Sequence, residues 1–334
     1  MEAQALVCDA QQRFSLETVT LPDPAPDQVA IRTAYSGVSI GTEFALIRNK
    51  ISWGPYPICT GYQGTGTVES VGAAVQGLAV GDRVYFRGND RMARLGGEPI
   101  SCVAGTHCSH VVRTAGGSHG VARLPDGADP ETAAHFVMPA VGLAGVDMAN
   151  PRLGDRVVVY GTGLIGLGVV AACVHRGCEV IAVDLHPRAL ELAARLGADH
   201  LINGSEVDAA AAVRRIAPEG ADVVFECTGI PACLDAAIAM CRTQGAFVWQ
   251  GNYGQDPVSL HFLPPHGRRL RMFFPCDDGW TPCRRAVIRN MAMGALRWEE
   301  CITHRINWQD APALFHRINE GNDPSIIGVV INWA

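Results

Sequence analysis

A two-domain α/β fold follows from this sequence: a β-rich, barrel-like domain and a doubly wound parallel sheet of six strands. Three features point there. The first 150 residues carry short β-branched runs separated by Gly, Pro and Asp turn signals. From residue 151 onward, wholly apolar strands alternate with helices. A glycine-rich turn joins the first of those strands to its helix, and a length of 334 residues suits two domains of ordinary size.

The elements follow in order. Residues 28–33, 66–71, 83–86 and 110–113 read as strands, and such close spacing predicts an antiparallel barrel. Past Pro151 a strand over 156–160 leads through glycines into a helix over 164–176. A strand over 179–184, a helix over 188–196 and a short strand over 200–203 come next. The alternation continues with helix 207–216, strand 222–226, helix 231–241 and strands 246–250 and 270–274. Strands that are apolar throughout need cover on both faces, which is a Rossmann-type arrangement. The tail reads as helix 282–294, strand 302–306, helix 311–319 and strand 326–331. It has no place in a six-stranded sheet, so it is expected to return to the first domain. The predicted domains are therefore 1–150 completed by 286–334, and 151–285.

Composition removes several function classes. With 48% apolar and 18% charged residues the chain is neither disordered nor fibrous. A net charge of −6 gives nucleic-acid binding no electrostatic support. The longest apolar stretch, 164–174, is broken by glycines and falls short of the roughly 20 residues that span a bilayer, so no membrane segment is expected. The N-terminus lacks a basic start followed by an apolar run, and a cytoplasmic protein is expected. Twelve irregularly spaced cysteines without a C-x-x-C pair read as reduced, mostly buried thiols.

Gly161-Thr162-Gly163-Leu164-Ile165-Gly166 is a G-x-G-x-x-G run directly after a strand and at the start of a helix. With 37 glycines in the chain the triplet alone is weak, and its context carries the argument. Gly161 permits a tight turn, Gly163 lets backbone approach a pyrophosphate, and Gly166 allows helix and strand to pack closely. Amides at the helix start add partial positive charge. Asp184 ends the next strand, 23 residues after Gly161, where a carboxylate accepts both ribose hydroxyls and repels a 2′-phosphate. That favours NAD over NADP, although His186 and Arg188 bring nearby basic groups. A glycine-rich turn of another α/β protein, such as a SAM-binding fold, is the alternative.

Domain order and motifs together resemble the medium-chain dehydrogenase/reductase superfamily, of zinc-type alcohol dehydrogenase-like proteins. The motifs are 36–39 (Ser-Gly-Val-Ser), 61–72, 80–84, 161–166 and Phe225-Glu-Cys-Thr228-Gly229. The resemblance implies a GroES-like first domain, a nicotinamide cofactor contacted by 161–166, Asp184, Arg188 and Thr228, and a homodimer or homotetramer. The departures lie at the metal. Where the family's zinc ligands stand, this chain has Ser39, Tyr62 and Met138, and the four-cysteine structural lobe is missing. These donors do not suit Zn2+, so no metal is expected. Cys276, Asp278 and Cys283 read as a polar loop with two free thiols.

Without zinc, hydrogen-bond donors and a proton acceptor must steady the reacting oxygen. Tyr62 stands at a former ligand position and is the first candidate, a pocket wall being its other reading. By resemblance Thr42 matches the hydroxyl that begins the alcohol dehydrogenase proton relay, and Glu43 the acidic residue behind the metal. Gln63 would orient substrate, and His135 is an outside candidate. Gly41-Thr-Glu43 with Tyr62 is also similar to hydroxyethyl-chlorophyllide, sugar and cyclitol dehydrogenases. The polar run 261–271 and the segment 276–280 suit a polyhydroxylated small-molecule substrate, or simply a solvated loop. The expected function is a zinc-independent, NAD-dependent interconversion of secondary alcohol and ketone. A quinone or enoyl reductase using NAD(P)H and a non-catalytic NAD-binding redox sensor are the alternatives.

Overall fold

The structure is a computed structural model and describes residues 1–278, 281–321 and 323–334. It divides into two compact units, Met1–Val137 with Arg285–Ala334, and Met138–Arg284. The tail thus joins the first unit. The second unit begins at Met138, ahead of the predicted residue 151, because the helix Val137–Ala149 packs backbone to backbone on the helix Leu164–His175. A Cβ on Gly142 would lie 2.7 Å from the Gly168 carbonyl carbon, and one on Gly168 2.7 Å from Pro139 Cα. The change of pattern at Pro151 marks the first strand and hides the helix in front of it.

The second unit is a six-stranded parallel sheet. Its strand order is His200–Asn203, Glu179–Asp184, Arg156–Tyr160, Ala221–Glu226, Cys241–Trp249 and Arg271–Phe273. Val158, Ile181, Val224 and Phe247 are all fully buried, as strands covered on both faces require. Chain order reverses between the strands Arg156–Tyr160 and Ala221–Glu226. The turns after these two strands therefore flank the crevice where such sheets bind ligands. Several elements are shorter than predicted, among them the strand expected over 326–331, which is Val329–Asn332. The helix expected over 231–241 is a 3-10 turn Pro231–Cys233 and a helix Leu234–Ala239, because Cys241 already pairs with Ala221 in the sheet.

The first unit holds a closed barrel of Glu2–Cys8, Phe14–Thr20, Met92–Arg94, Pro99–Cys102 and Ile58–Cys59. A second sheet centres on Gln28–Val38, which pairs with Gly64–Val71 on one side and His110–Thr114 along part of its length. The returning strand Val329–Asn332 closes antiparallel on the same central strand, Val329 opposite Val38, with His304–Asn307 parallel beside it. Phe44, Ile47, Phe315 and Ile331 pack in the core beneath the helix Ile40–Ile47. Among the described residues no helix is long and apolar enough to cross a membrane.

Candidate active site

The first site is built from two loops of the first unit. The helix Ile40–Ile47 starts after Ser39, which is extended and offers no side-chain cap. Glu43 reaches back from the first turn, and its Oε1 accepts the Ser39 N–H at 2.7 Å, much as a capping box does. On the facing loop Gly61 has φ +90°, and a Cβ there would sit 2.4 Å from Thr106 Oγ1 and 2.9 Å from the His107 ring. Only glycine lets these loops meet. Tyr62 follows, buried, and its Oη donates to Ser39 Oγ at 2.5 Å.

Burial pushes the Tyr62 phenol up to about 12, with the Glu43 carboxylate adding to the rise. Hydrogen bonds with Ser39 and Thr42 and the nearby Arg87 guanidinium pull the other way without overcoming it. Arg87, itself buried, lies 5.3 Å over the Tyr62 ring, a cation–π distance. Trp53 also lies near that ring, with centroids 6.4 Å apart, and is half exposed. Gln63 is fully buried: its Oε1 accepts the Val137 N–H at 3.0 Å, while its Nε2 has no hydrogen-bond partner.

Thr42, Glu43 and Tyr62 are thus brought together, with Gln63 adjacent in the chain. His135 is not. Its Nε2 bonds the Val329 carbonyl at 2.6 Å, and burial pushes its imidazole down to about 4. The ring ties the helix-bearing segment to the returning strand, which is the structural role of a lone buried histidine. His107, Arg87 and Trp53 were missed. No motif marks them, and their only signal is a polar or aromatic residue beside a strand end or turn. Cys283 Sγ donates to Asp147 at 3.7 Å and Asp278 is ion-paired with Arg284, while Gly279 and Trp280 of the segment 276–280 lie outside the described residues.

The second site lies in the other unit, at the turn between Arg156–Tyr160 and Leu164–His175. Gly161 has φ +96°, and a Cβ on Gly166 would lie 2.0 Å from the Gly161 carbonyl oxygen. Gly163 is exposed at the helix start with nothing within 4 Å of a Cβ placed there. This cradle, open at Gly163 and closed at Gly166, fits a pyrophosphate against helix amides. Asp184 is already at work: its Oδ2 accepts the Thr162 N–H at 2.7 Å and hydroxyl at 3.1 Å, and its Oδ1 the His186 N–H at 3.0 Å. The carboxylate therefore shapes the glycine turn as well as facing it.

Two residues expected at the cofactor are engaged otherwise. Arg188 pairs with Glu191 at 2.5 Å on an exposed helix face, and Thr228 gives both its N–H and its hydroxyl to Glu226. Glu226 is fully buried at the end of its strand and also accepts the Tyr253 hydroxyl, whose proton affinity burial and that carboxylate raise far above normal. Glu226 lies within the motif 225–229, where no spacing or residue type marks its carboxylate as the anchor of Thr228 and Tyr253.

Comparison with known proteins agrees with both halves. The family described as Zinc-binding dehydrogenase matches residues 165–291, and Alcohol dehydrogenase GroES-like domain matches 25–126. The chain belongs to the medium-chain dehydrogenase/reductase superfamily. It is an alcohol dehydrogenase-like oxidoreductase with a GroES-like domain and a Rossmann domain. Sorbitol dehydrogenase of Gallus gallus is 28% identical, covering 97% of this chain and 95% of that protein. D-xylulose reductase of Saccharomyces cerevisiae is 27% identical over 93% of each. A zinc-binding dehydrogenase of Sinorhizobium meliloti, solved with NADP bound, superposes with a TM-score of 0.85 at 22% identity over 99% of each chain, a likeness of fold.

Proposed function

We propose that this medium-chain dehydrogenase oxidises a secondary alcohol of a polyol-like substrate, reversibly and with NAD, using Tyr62 in place of a metal. The observation that carries the reading is the buried Tyr62–Ser39 hydroxyl pair at 2.5 Å, standing where the family's ligands would be. Hydroxyls already bonded to each other do not fit a Zn2+ ion that wants thiolate, imidazole or carboxylate. The relatives that act on sorbitol and xylulose support the substrate class.

Bound NAD supplies the acceptor for the carbinol hydride. The chain does the rest. Tyr62 Oη contacts the reacting oxygen and takes its proton during oxidation, returning it during ketone reduction. Ser39 Oγ and the Thr42 hydroxyl hold the phenol in place, and the free Nε2 of Gln63 offers a donor to a substrate hydroxyl. NAD+-linked oxidation of a polyol panel tests the reading. Inactivity there combined with NADPH-linked quinone reduction would replace it.

Two further outcomes are expected. The purified protein should contain far less than one zinc per chain and keep its turnover after dialysis against a chelator; stoichiometric zinc lost together with activity would end the metal-free reading. Replacing Asp184 with Gly should reduce NAD preference over NADP by about tenfold or more, roughly 1.4 kcal/mol. Because Asp184 also anchors Thr162, NAD affinity itself should fall in the same variant. Unchanged affinities for both cofactors would place the ribose elsewhere.

A further inference from the structure

Behind Tyr62 and Ser39 lies a second layer that the proposed chemistry does not yet use. The loop bearing His107 is stapled to the Tyr62 loop: Thr106 N–H donates to the Gly61 carbonyl at 2.9 Å and His107 N–H to the Thr60 carbonyl at 3.2 Å. The His107 ring is fully buried, with Phe315 edge-on at 5.5 Å. Its Nε2 lies 2.8 Å from Glu43 Oε2 and its Nδ1 2.8 Å from Ser36 Oγ. Ser36 Oγ also receives the indole N–H of Trp333 at 2.8 Å.

The proton positions follow from the donors available. Trp Nε1 donates only, so Ser36 Oγ must accept from Trp333. The Ser36 hydroxyl then has its own proton to give, and Nδ1 is the acceptor it faces. That leaves the ring proton on Nε2, aimed at Glu43. Glu43 is fully buried, and its other oxygen holds the Ser39 amide at 2.7 Å. An unbroken line runs from Trp333 in the returning strand segment, through Ser36, His107 and Glu43, to the Ser39 backbone whose hydroxyl receives Tyr62. Buried polar groups linked this way fix one geometry, since any missing partner leaves a desolvated group behind.

We propose that His107 is a positioning residue for this centre: by donating from Nε2 to Glu43 it fixes the carboxylate that holds Ser39, and through Ser39 it fixes the Tyr62 hydroxyl. The inference rests on the reading of Tyr62 given above. Glutamine reproduces the reach and the donor of Nε2, whereas phenylalanine keeps an aromatic ring of similar bulk and removes both nitrogens.

His107→Phe should therefore lower kcat by at least about tenfold with KM within roughly threefold, the signature of a group acting in the transition state. His107→Gln should recover most of that loss. Both variants should bind NADH as the parent does, because the glycine turn lies in the other unit. In 15N-histidine NMR of the unliganded protein, the His107 ring should show a protonated Nε2 and a bare Nδ1, and Ser36→Ala should disturb that pattern. If His107→Gln is as impaired as His107→Phe, or the ring is bare at Nε2, the proposal fails. Tyr62→Phe run alongside separates the two levels. Loss in Tyr62→Phe with full activity in His107→Phe overturns the positioning role alone, while full activity in Tyr62→Phe overturns the role of the phenol and with it that of His107.

Discussion

Tyr62→Phe should cut kcat by about 10²- to 10³-fold, within the usual contribution of a general acid–base group, with little change in NADH affinity. The substitution removes one oxygen and keeps the ring, so the packing against Arg87 and Trp53 survives. Ser39 Oγ loses its donor, at a cost of about 1 kcal/mol in stability, too little to unfold the chain. The parent enzyme should show a matching pH dependence. With the phenol pushed up to about 12, it is protonated through the neutral range and ready to donate during ketone reduction. Alcohol oxidation needs the phenolate, whose fraction grows tenfold per pH unit below that value. Oxidation should thus climb steadily as pH rises, reduction should stay nearly flat, and the slope for oxidation should vanish in Tyr62→Phe. Equal turnover in the variant, or an oxidation rate independent of pH in the parent, would send the proton to another group.

What the sequence disclosed and what it withheld divide along physical lines. The strands 156–160 and 179–184 are legible to the residue, because the interior of a strand covered on both faces is apolar and its neighbours are not. The glycine turn is legible because 161 and 166 serve backbone needs that no other residue meets. The helix Val137–Ala149 lies within the range expected for the first domain, 1–150, and it packs on Leu164–His175 through a glycine-to-glycine contact, a tertiary fact that no local pattern carries. At the candidate site Tyr62, Thr42 and Glu43 came from motif position. His107 could not, as it lies 64 residues from Glu43 and meets it only because the Gly61 turn lets two loops touch. His135 misled for the converse reason: its place in the sequence is near a former ligand, yet its ring is spent on the Val329 carbonyl.

The glycine turn allows a sharper test than a single knock-out, because Gly163 and Gly166 fail in different ways. A methyl on Gly166 would sit 2.0 Å from the Gly161 carbonyl oxygen, a distance no packing tolerates, so backbone must move. The start of the helix Leu164–His175 would be pushed off the strand Arg156–Tyr160, taking the amides that face a phosphate with it. Gly166→Ala should weaken NADH binding by about 100-fold or more and lower stability by roughly 1–3 kcal/mol, read as a drop in Tm of several degrees. At Gly163 the backbone is ordinary and a methyl meets nothing within 4 Å, so Gly163→Ala should melt like the parent. Its methyl nonetheless projects where the pyrophosphate must come close, and NADH affinity should fall by about tenfold or more. Fluorescence titration with NADH beside thermal melting reads both effects. Undiminished affinity in Gly163→Ala would mean that the phosphates do not approach this backbone, and the nucleotide would have to bind by another route across the same crevice.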